Sequence, residues 1–189
     1  MELFDAIKGR RSCRQFLPDP LKGDEIEKIL DAAVWAPSPL NSQPWEFLVI
    51  TGELLKEKIH SSAEESRQWA IRESGWKWLE HYRVDFLKQA PVLVCVVGDP
   101  AKTGVDMFMA EGSVAYQHAC AAAIQNMHLA AYSLGLSTLW FTLFDKAELR
   151  DILGIDPEKN PVGIVCIGRA DGEIADVPRK DAKAKTCYL

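Results

Sequence analysis

Arg10-Arg11-Ser12-Cys13-Arg14 is the stretch on which the reading of this chain turns. From Lys8 to Arg14 there are four positive side chains and no acid, in a protein of 189 residues with net charge −5. Arginine presents a planar fork of donors that fits phosphate oxygens two at a time. Three arginines and a serine within five residues therefore suit a phosphomonoester dianion. Alone, the cluster reads equally as a solvated basic turn after a first helix. What lies on either side decides between the two.

Upstream, Leu3, Phe4 and Ile7 recur at helical spacing, so residues 2 to 9 read as a short helix ending near Gly9. The arginines then follow a helix end. Downstream, Phe16-Leu17-Pro18-Asp19-Pro20 is extended, because proline restricts itself and the residue before it. Ile26, Ile29, Leu30, Ala33 and Val34 trace one face of a helix from about 24 to 35. Pro37 to Pro44 holds three prolines and is a loop, and Phe47 to Thr51 is a short strand. Residues 53 to 66 and 76 to 89 read as helices. Trp69, Trp76, Trp78, Tyr82 and Phe86 crowd this region among many charges. Such tryptophans either wall a bound ligand, making 60–90 a lid, or anchor the segment to the core.

Pro91 to Val97 is a strand apolar on both faces. Residues 106 to 134 form the longest helical pattern, small and apolar nearly all round at Ala119 to Ile124. At 1.5 Å per residue that is about 43 Å, longer than the roughly 40 Å breadth of a compact monomer of this size. Either the helix is housed in a dimer core, or it breaks at Gly112-Ser113. Gly135 then stops it. Ser137 to Leu143 and Val162 to Gly168 are strands. Asp145 and Glu148 open a helix over 146–153. Residues 171–189 are a polar tail over the surface or a partner.

Composition narrows the function. A sequence pI near 5.4 argues against a nucleic-acid partner. No apolar run reaches the length of a membrane span, and Met1 to Asp5 does not open a signal peptide. The five cysteines, 13, 95, 120, 166 and 187, form no CxxC pair, so reduced thiols in a cytoplasmic protein are expected and a zinc site is not. The four histidines lack metal-ligand spacing and read as structural or exposed.

Four pieces stand in a fixed order: Arg10 to Phe16, Ala36-Pro37-Ser38-Pro39-Leu40-Asn41-Ser42-Gln43-Pro44-Trp45, Leu134-Gly135-Leu136, and Gly168-Arg169. This order resembles the FMN-dependent nitroreductase family over nearly the whole chain, from about residue 2 to 180. The resemblance implies a single α+β domain over 1–189, with a central, mainly antiparallel sheet flanked by helices. It also implies an intertwined homodimer with two FMN sites at the interface. Carried onto this sequence, Arg10, Arg11, Ser12 and Arg169 hold the FMN phosphate, and Arg14 reaches the ribityl chain and the pyrimidine edge. A cation there stabilises negative charge that develops on reduction. Pro37, Ser38, Pro39, Asn41 and Gln43 come from the second subunit. Trp140, Thr142 and Leu143 match the loop facing flavin N5.

The implied activity is an FMN-dependent NAD(P)H oxidoreductase with ping-pong kinetics, its acceptor a nitroaromatic, a quinone or a similar small molecule. No dinucleotide-binding motif selects NADH over NADPH. Two other readings are carried. One is a deiodinase-like or flavin-fragmenting branch of the same family, the deiodinase suggested by a hydroxyl at Thr142. A deiodinase grip on a zwitterion would draw on Glu64, Glu65, Glu80, Tyr82 and Lys88, which do not stand in that branch's pattern. The other is a non-catalytic flavin or phosphate-ligand binding protein.

Overall fold

A computed structural model describes residues 2–109, 112 and 114–189. Four strands, β1 (Trp45–Ile50), β2 (Val92–Gly98), β3 (Ser137–Phe141) and β4 (Asn160–Gly168), form one sheet in the order β1-β2-β4-β3. All three pairings are antiparallel, with Trp45 opposite Gly98, Val92 opposite Ile167 and Ser137 opposite Gly168. The two central strands are those whose sequence is apolar on both faces. Alternation along β2 sends Leu93, Cys95 and Val97 into one core and Val92, Val94 and Val96 into the other. Two hydrophobic layers therefore sandwich the sheet.

On one face lie α1 (Leu3–Gly9), α2 (Gly23–Val34) and α6 (Ala115–Ser133), with α6 packed directly on the sheet. On the other lie α3 (Glu53–Ser74), the single turns α4 (Trp78–His81) and α5 (Phe86–Gln89), and α7 (Lys146–Leu153). The α7 start follows the expected cap: the Asp145 carboxylate accepts from the Glu148 amide at 2.8 Å. The Asp145 amide in turn donates to Ser66 Oγ at 3.0 Å, tying α7 to α3.

Three helices differ from the sequence reading. The stretch read as one helix over 106–134 is helical only from Ala115, about 28 Å for the 19 residues of α6. Asp106 caps that helix from outside: its Oδ2 accepts from the amides of Val114 and Ala115 and from Thr103 Oγ1. Thr103 Oγ1 accepts from the Tyr116 amide. Three of the helix's first amides are thereby satisfied by side chains eight to thirteen residues upstream. Length no longer argues for a dimer. Of the expected break at Gly112-Ser113, Ser113 lies outside the described residues.

The helix expected over 76–89 is two turns. Arg67, 7% exposed, donates to the carbonyls of Leu79 at 2.7 Å and Glu80 at 3.4 Å. Those carbonyls are the ones a continuing helix would offer to the amides of Arg83 and Val84. The helix expected over 53–66 instead runs to Ser74, where Gly75 ends it at φ 64°. Its extension is carried by Glu64, which holds Arg67 and Gln68 on the next turn.

No described helix is long and apolar enough to cross a membrane, and no cluster of metal-ligating side chains occurs among the described residues. All five cysteines are free thiols, four of them buried.

Candidate functional site

The arginine stretch is pinned by backbone on both sides. Ser12 bridges Thr138 of β3 in parallel, with the Cys13 amide donating to the Thr138 carbonyl at 2.9 Å. On the other side Phe16 bridges Ala170, with the Leu17 amide on the Arg169 carbonyl and the Asp171 amide on the Gln15 carbonyl. Residues 12–17 thus lie between the β3 edge and the chain leaving β4. Cys13 and Phe16 are buried beneath them. A backbone fixed in this way lowers the ordering cost of aiming Arg14, which lies between the two bridges, and Arg11 just before them.

Arg11, Ser12 and Arg14 border one cavity of about 590 Å³, together with Tyr82, Arg83, Ile174 and Arg179. Arg10 stands beside it, half-buried on the β3 side. Burial lowers the Arg10 pKa, and the charges of Arg179 and Arg11 lower it further. Three guanidiniums that repel one another around a concave surface favour an anion between them. A carboxylate already shows the preference: Asp176 of the tail accepts from Arg11 Nε and Nη2 at 2.9 and 2.5 Å, and its pKa is lowered as a result.

Two assignments change. Arg169 does not border this cavity; its Nη2 donates to Glu25 of α2 at 3.1 Å. Arg179, ten residues further on, takes the place beside Arg10 and Arg11. The sequence carried no signal for it beyond an arginine in a polar tail.

A second cavity of about 540 Å³ opens on the α3 side. Trp69, Trp76, Trp78, Tyr82, Trp140, Thr142 and Leu143 all border it, so the expected flavin-facing loop and the tryptophan segment do meet. Trp140, next to last in β3, has its indole seated over Gly163, where a Cβ would fall 2.1 Å from the indole nitrogen. Trp69, Trp76 and Trp78 remain 60, 59 and 55% exposed, so they do not anchor the segment. Its anchors are Leu79, Val84, Phe86, Leu87 and Arg67, all buried. An edge-to-face series, Trp78 to Tyr82 to Phe86 to Phe141 at 5.6, 6.1 and 5.5 Å, connects the exposed rings to the core.

Tyr82 borders both cavities, and the Arg14 guanidinium lies 5.8 Å from its ring centroid. The sequence offered Tyr82 as a lid aromatic and as one member of a deiodinase grip, not as the residue that joins two cavities. The result is a two-lobed site, cationic at one end and aromatic at the other. Beneath the arginine lobe, His128 of α6 contacts Thr138 Oγ1 at 2.6 Å and is held neutral, its pKa pushed down to about 4 by burial and by Arg10.

The loop over residues 37–43 stands elsewhere. On its own chain it borders neither cavity; Pro37, Ser38, Pro39, Asn41 and Gln43 were expected to reach the ligand from a second subunit. Leu40, Asn41 and Gln43 hold positive φ of 53, 53 and 46°, a conformation that costs about 1–2 kcal/mol per residue. The Gln43 amide on Ser38 Oγ and Ser42 Oγ on the Lys102 carbonyl keep it there. Gly104 makes room for it, since a Cβ at that position would fall 2.7 Å from Pro39 Cβ. The strained conformation is thus held by tertiary contacts rather than by local preference.

Residues 7–169 match the profile of the nitroreductase family. The chain belongs to that family. A protein of Methanothermobacter thermautotrophicus named "Putative NADH dehydrogenase/NAD(P)H nitroreductase" is 30% identical over 172 residues, covering 89% of this chain and 77% of the relative. A crystal structure of oxidized iodotyrosine deiodinase bound to FMN and 3-iodo-L-tyrosine superimposes with a TM-score of 0.82 at 25% identity, covering 95% of this chain and 96% of that one. A nitroreductase with bound FMN from Bacteroides fragilis superimposes at 0.77 with 26% identity over the full length of both chains. The nitroreductase-like α+β fold expected from the motifs is therefore the fold of this chain.

Proposed function

We propose that the chain is an FMN-dependent NAD(P)H oxidoreductase of the nitroreductase or quinone-reductase type, acting as a homodimer. The observation that carries this is the two-lobed site joined at Tyr82, with arginines at one end and aromatic rings at the other. FMN is such a molecule, a phosphate dianion joined through a polar chain to a flat, mostly apolar ring system. The donor set fits it. Arg10, Arg11, Ser12 and Arg179 would hold the phosphate and exchange Asp176 for it. Arg14, turned toward Tyr82, would lie along the ring's polar edge. Thr142 and Leu143 would border the ring's reactive side, with the Thr142 hydroxyl available as a donor.

When bound, FMN supplies the redox chemistry: it takes a hydride from NADH or NADPH and passes electrons to a small oxidised acceptor. The chain's own contributions are electrostatic and steric. Arg14 keeps a positive charge where negative charge develops. The 60–90 segment acts as a lid whose tryptophans keep water off the stacked acceptor. No side chain need act as nucleophile, and protons can come from solvent.

The strained 37–43 loop completes the reading. On its own chain it faces neither lobe, so its role requires a second copy. Large apolar side chains stand in solvent on the same α6 side: Phe4, Trp35, Leu40 and Phe108 are 70, 80, 80 and 80% exposed. Exposure on that scale suits a subunit interface.

The likeness to a deiodinase structure and the Thr142 hydroxyl favour a deiodinase-type reading as the second choice. The cavity speaks against it. Of Glu64, Glu65, Glu80, Tyr82 and Lys88, only Tyr82 borders the aromatic lobe. Glu64 is committed to Arg67, its pKa lowered to about 2, and Lys88 faces a different cavity with Lys56. No lysine or arginine of the lobe is placed to hold an amino-acid carboxylate.

Anaerobic titration tests the proposal. The flavin absorption of the purified protein should bleach with NADH or NADPH and return on adding a nitroaromatic or a quinone. Initial rates against both substrates should give parallel double-reciprocal lines. A protein that takes up no FMN, or whose flavin neither dinucleotide bleaches, would end this reading.

A further inference from the structure

The lining of the aromatic lobe goes further than the reaction type. Its walls are almost wholly apolar, and the one charged side chain among them is Glu73, in the last turn of α3. Glu73 enters none of the ion pairs among the described residues. Its neighbour along the helix behaves differently, since Glu64 is locked to Arg67. An adjoining groove shares Trp69, Ala70, Thr142 and Leu143 with the lobe and adds Glu65, Asp145 and Glu148 against one cation, Arg72. Charge is thus partitioned along the site. At the phosphate end four arginines outnumber Asp171 and Glu173, whereas at the mouth three carboxylates outnumber one arginine.

Aromatic faces carry negative charge density, and a cation over an indole is attracted to it. Four indoles, Trp69, Trp76, Trp78 and Trp140, and the Tyr82 phenol around a single carboxylate outside the ion pairs therefore form a recognition surface for positive charge. We infer that the acceptor lobe selects flat aromatic molecules carrying an ammonium or similar cationic group, which Glu73 and the rings of Trp69, Trp76 and Trp78 hold facing away from the arginines. This rests on the oxidoreductase reading for the word acceptor, but the binding preference does not. The same surface disfavours anionic aromatics, because no cation of the lobe compensates Glu73. The exposure of the three tryptophans is then explained: their faces meet a charged ligand rather than the core.

Saturable quenching of tryptophan fluorescence tests the preference on the FMN-loaded protein and again on the protein stripped of flavin. Three probes share one ring: (4-nitrobenzyl)trimethylammonium, 4-nitrobenzyl alcohol and 4-nitrobenzoate. The cation should bind about tenfold more tightly than the alcohol, and the alcohol more tightly than the benzoate. In Glu73→Gln, whose helical position is exposed, the cation's Kd should rise several-fold while the alcohol's moves less than twofold. Equal Kd values for cation and alcohol in the wild type would overturn the inference. So would a cation preference that Glu73→Gln leaves intact. If NADH and NADPH reduce the flavin but the three probes bind alike, the oxidoreductase reading stands and this one falls. Cation-selective quenching in a protein whose flavin neither dinucleotide bleaches supports the inference and removes the redox reading.

Discussion

Large apolar side chains stand in solvent on both faces of the sheet, but in different company. On the α6 side, Leu3, Phe4 and Ile7 stand exposed near the C-terminal end of the helix, and Val105, Met107, Phe108 and Met109 near its N-terminal end. On the α3 side, Trp69, Trp76 and Trp78 alternate with Arg72, Glu73 and Lys77 and border a cavity. The first pattern buries area without regard to orientation, which a second protein surface rewards. The second offers flat rings at fixed angles with polar groups between them, which a small molecule rewards. Exposure alone distinguishes neither; the residues in between do.

The comparison breaks most completely at the α6 side. Wild type should sediment at twice the 21.1 kDa of one chain. Placing charge there with Phe4→Glu and Phe108→Glu should give the single-chain mass and strip the flavin, because the strained 37–43 loop of a second copy is lost. A wild-type monomer that retains full FMN would refute both the interface and the assignment of that loop.

The next effect is a pH dependence that belongs to the α6 side. His128 has a pKa near 4 in the fold and about 6.5 when unfolded. Between those values the unfolded chain binds a proton that the folded chain does not. Stability should therefore fall as pH drops from about 6.5 toward 4, by roughly 3 kcal/mol in all. Urea midpoints at pH 7 and pH 5 should differ, and His128→Asn should shrink the difference. A slope that survives the substitution assigns the effect to other groups.

Smaller again are the arginine effects, which separate the ends of the site. Arg10→Ala and Arg179→Ala should weaken FMN by about ten- to a hundredfold while hardly touching riboflavin, which lacks the phosphate. Arg14→Ala should weaken both ligands by similar factors and lower the potential of bound FMN. Arg169→Ala should act through Glu25 and the start of α2, appearing in thermal stability rather than in the FMN-to-riboflavin ratio. If Arg169 proves to be the phosphate ligand and Arg179 does not, the tail has been misassigned.

The smallest effect should be at the lid. Trp78→Ala should raise acceptor KM a few-fold at near-normal flavin content, since roughly 0.5–1.5 kcal/mol rides on an aromatic contact. Unfolding, with no selective kinetic change, would return the tryptophans to the role of anchors.

What was legible in the sequence follows the range of the interactions. Strands β2 and β4 could be read because burial on both faces leaves no polar position in Val92–Gly98 or from Val162 to Gly168. The start of α7 could be read because its cap lies three residues from its target. The start of α6 was legible only as one of two alternatives, a break at Gly112-Ser113, because the caps that set it, Thr103 and Asp106, reach across a loop. The split between α4 and α5 depends on Arg67, whose guanidinium arrives from twelve residues away to take two carbonyls. Arg179 was invisible for the same reason in stronger form, because it joins Arg10 across almost the whole chain. The motifs of the arginine stretch and the proline loop were legible as residues. The assignment of the two to different copies of the chain came only from the family resemblance, not from the residues themselves.

The strand order has a consequence for how this protein is made. β4 is the last strand in the chain, yet it lies between β2 and β3. A ribosome adding about 5–20 residues per second needs roughly 4 to 14 seconds to pass from Gly98 to Gly168. Throughout that interval Val92 to Gly98, an all-apolar run, has an open edge on the side β4 will fill, and Ser137 to Phe141, once made, has no partner strand in the sheet until β4 follows. An unpaired apolar edge is a template for the wrong strand. The nascent chain should therefore engage a holding chaperone until β4 emerges, and truncation before Asn160 should yield inclusion bodies rather than a smaller soluble domain.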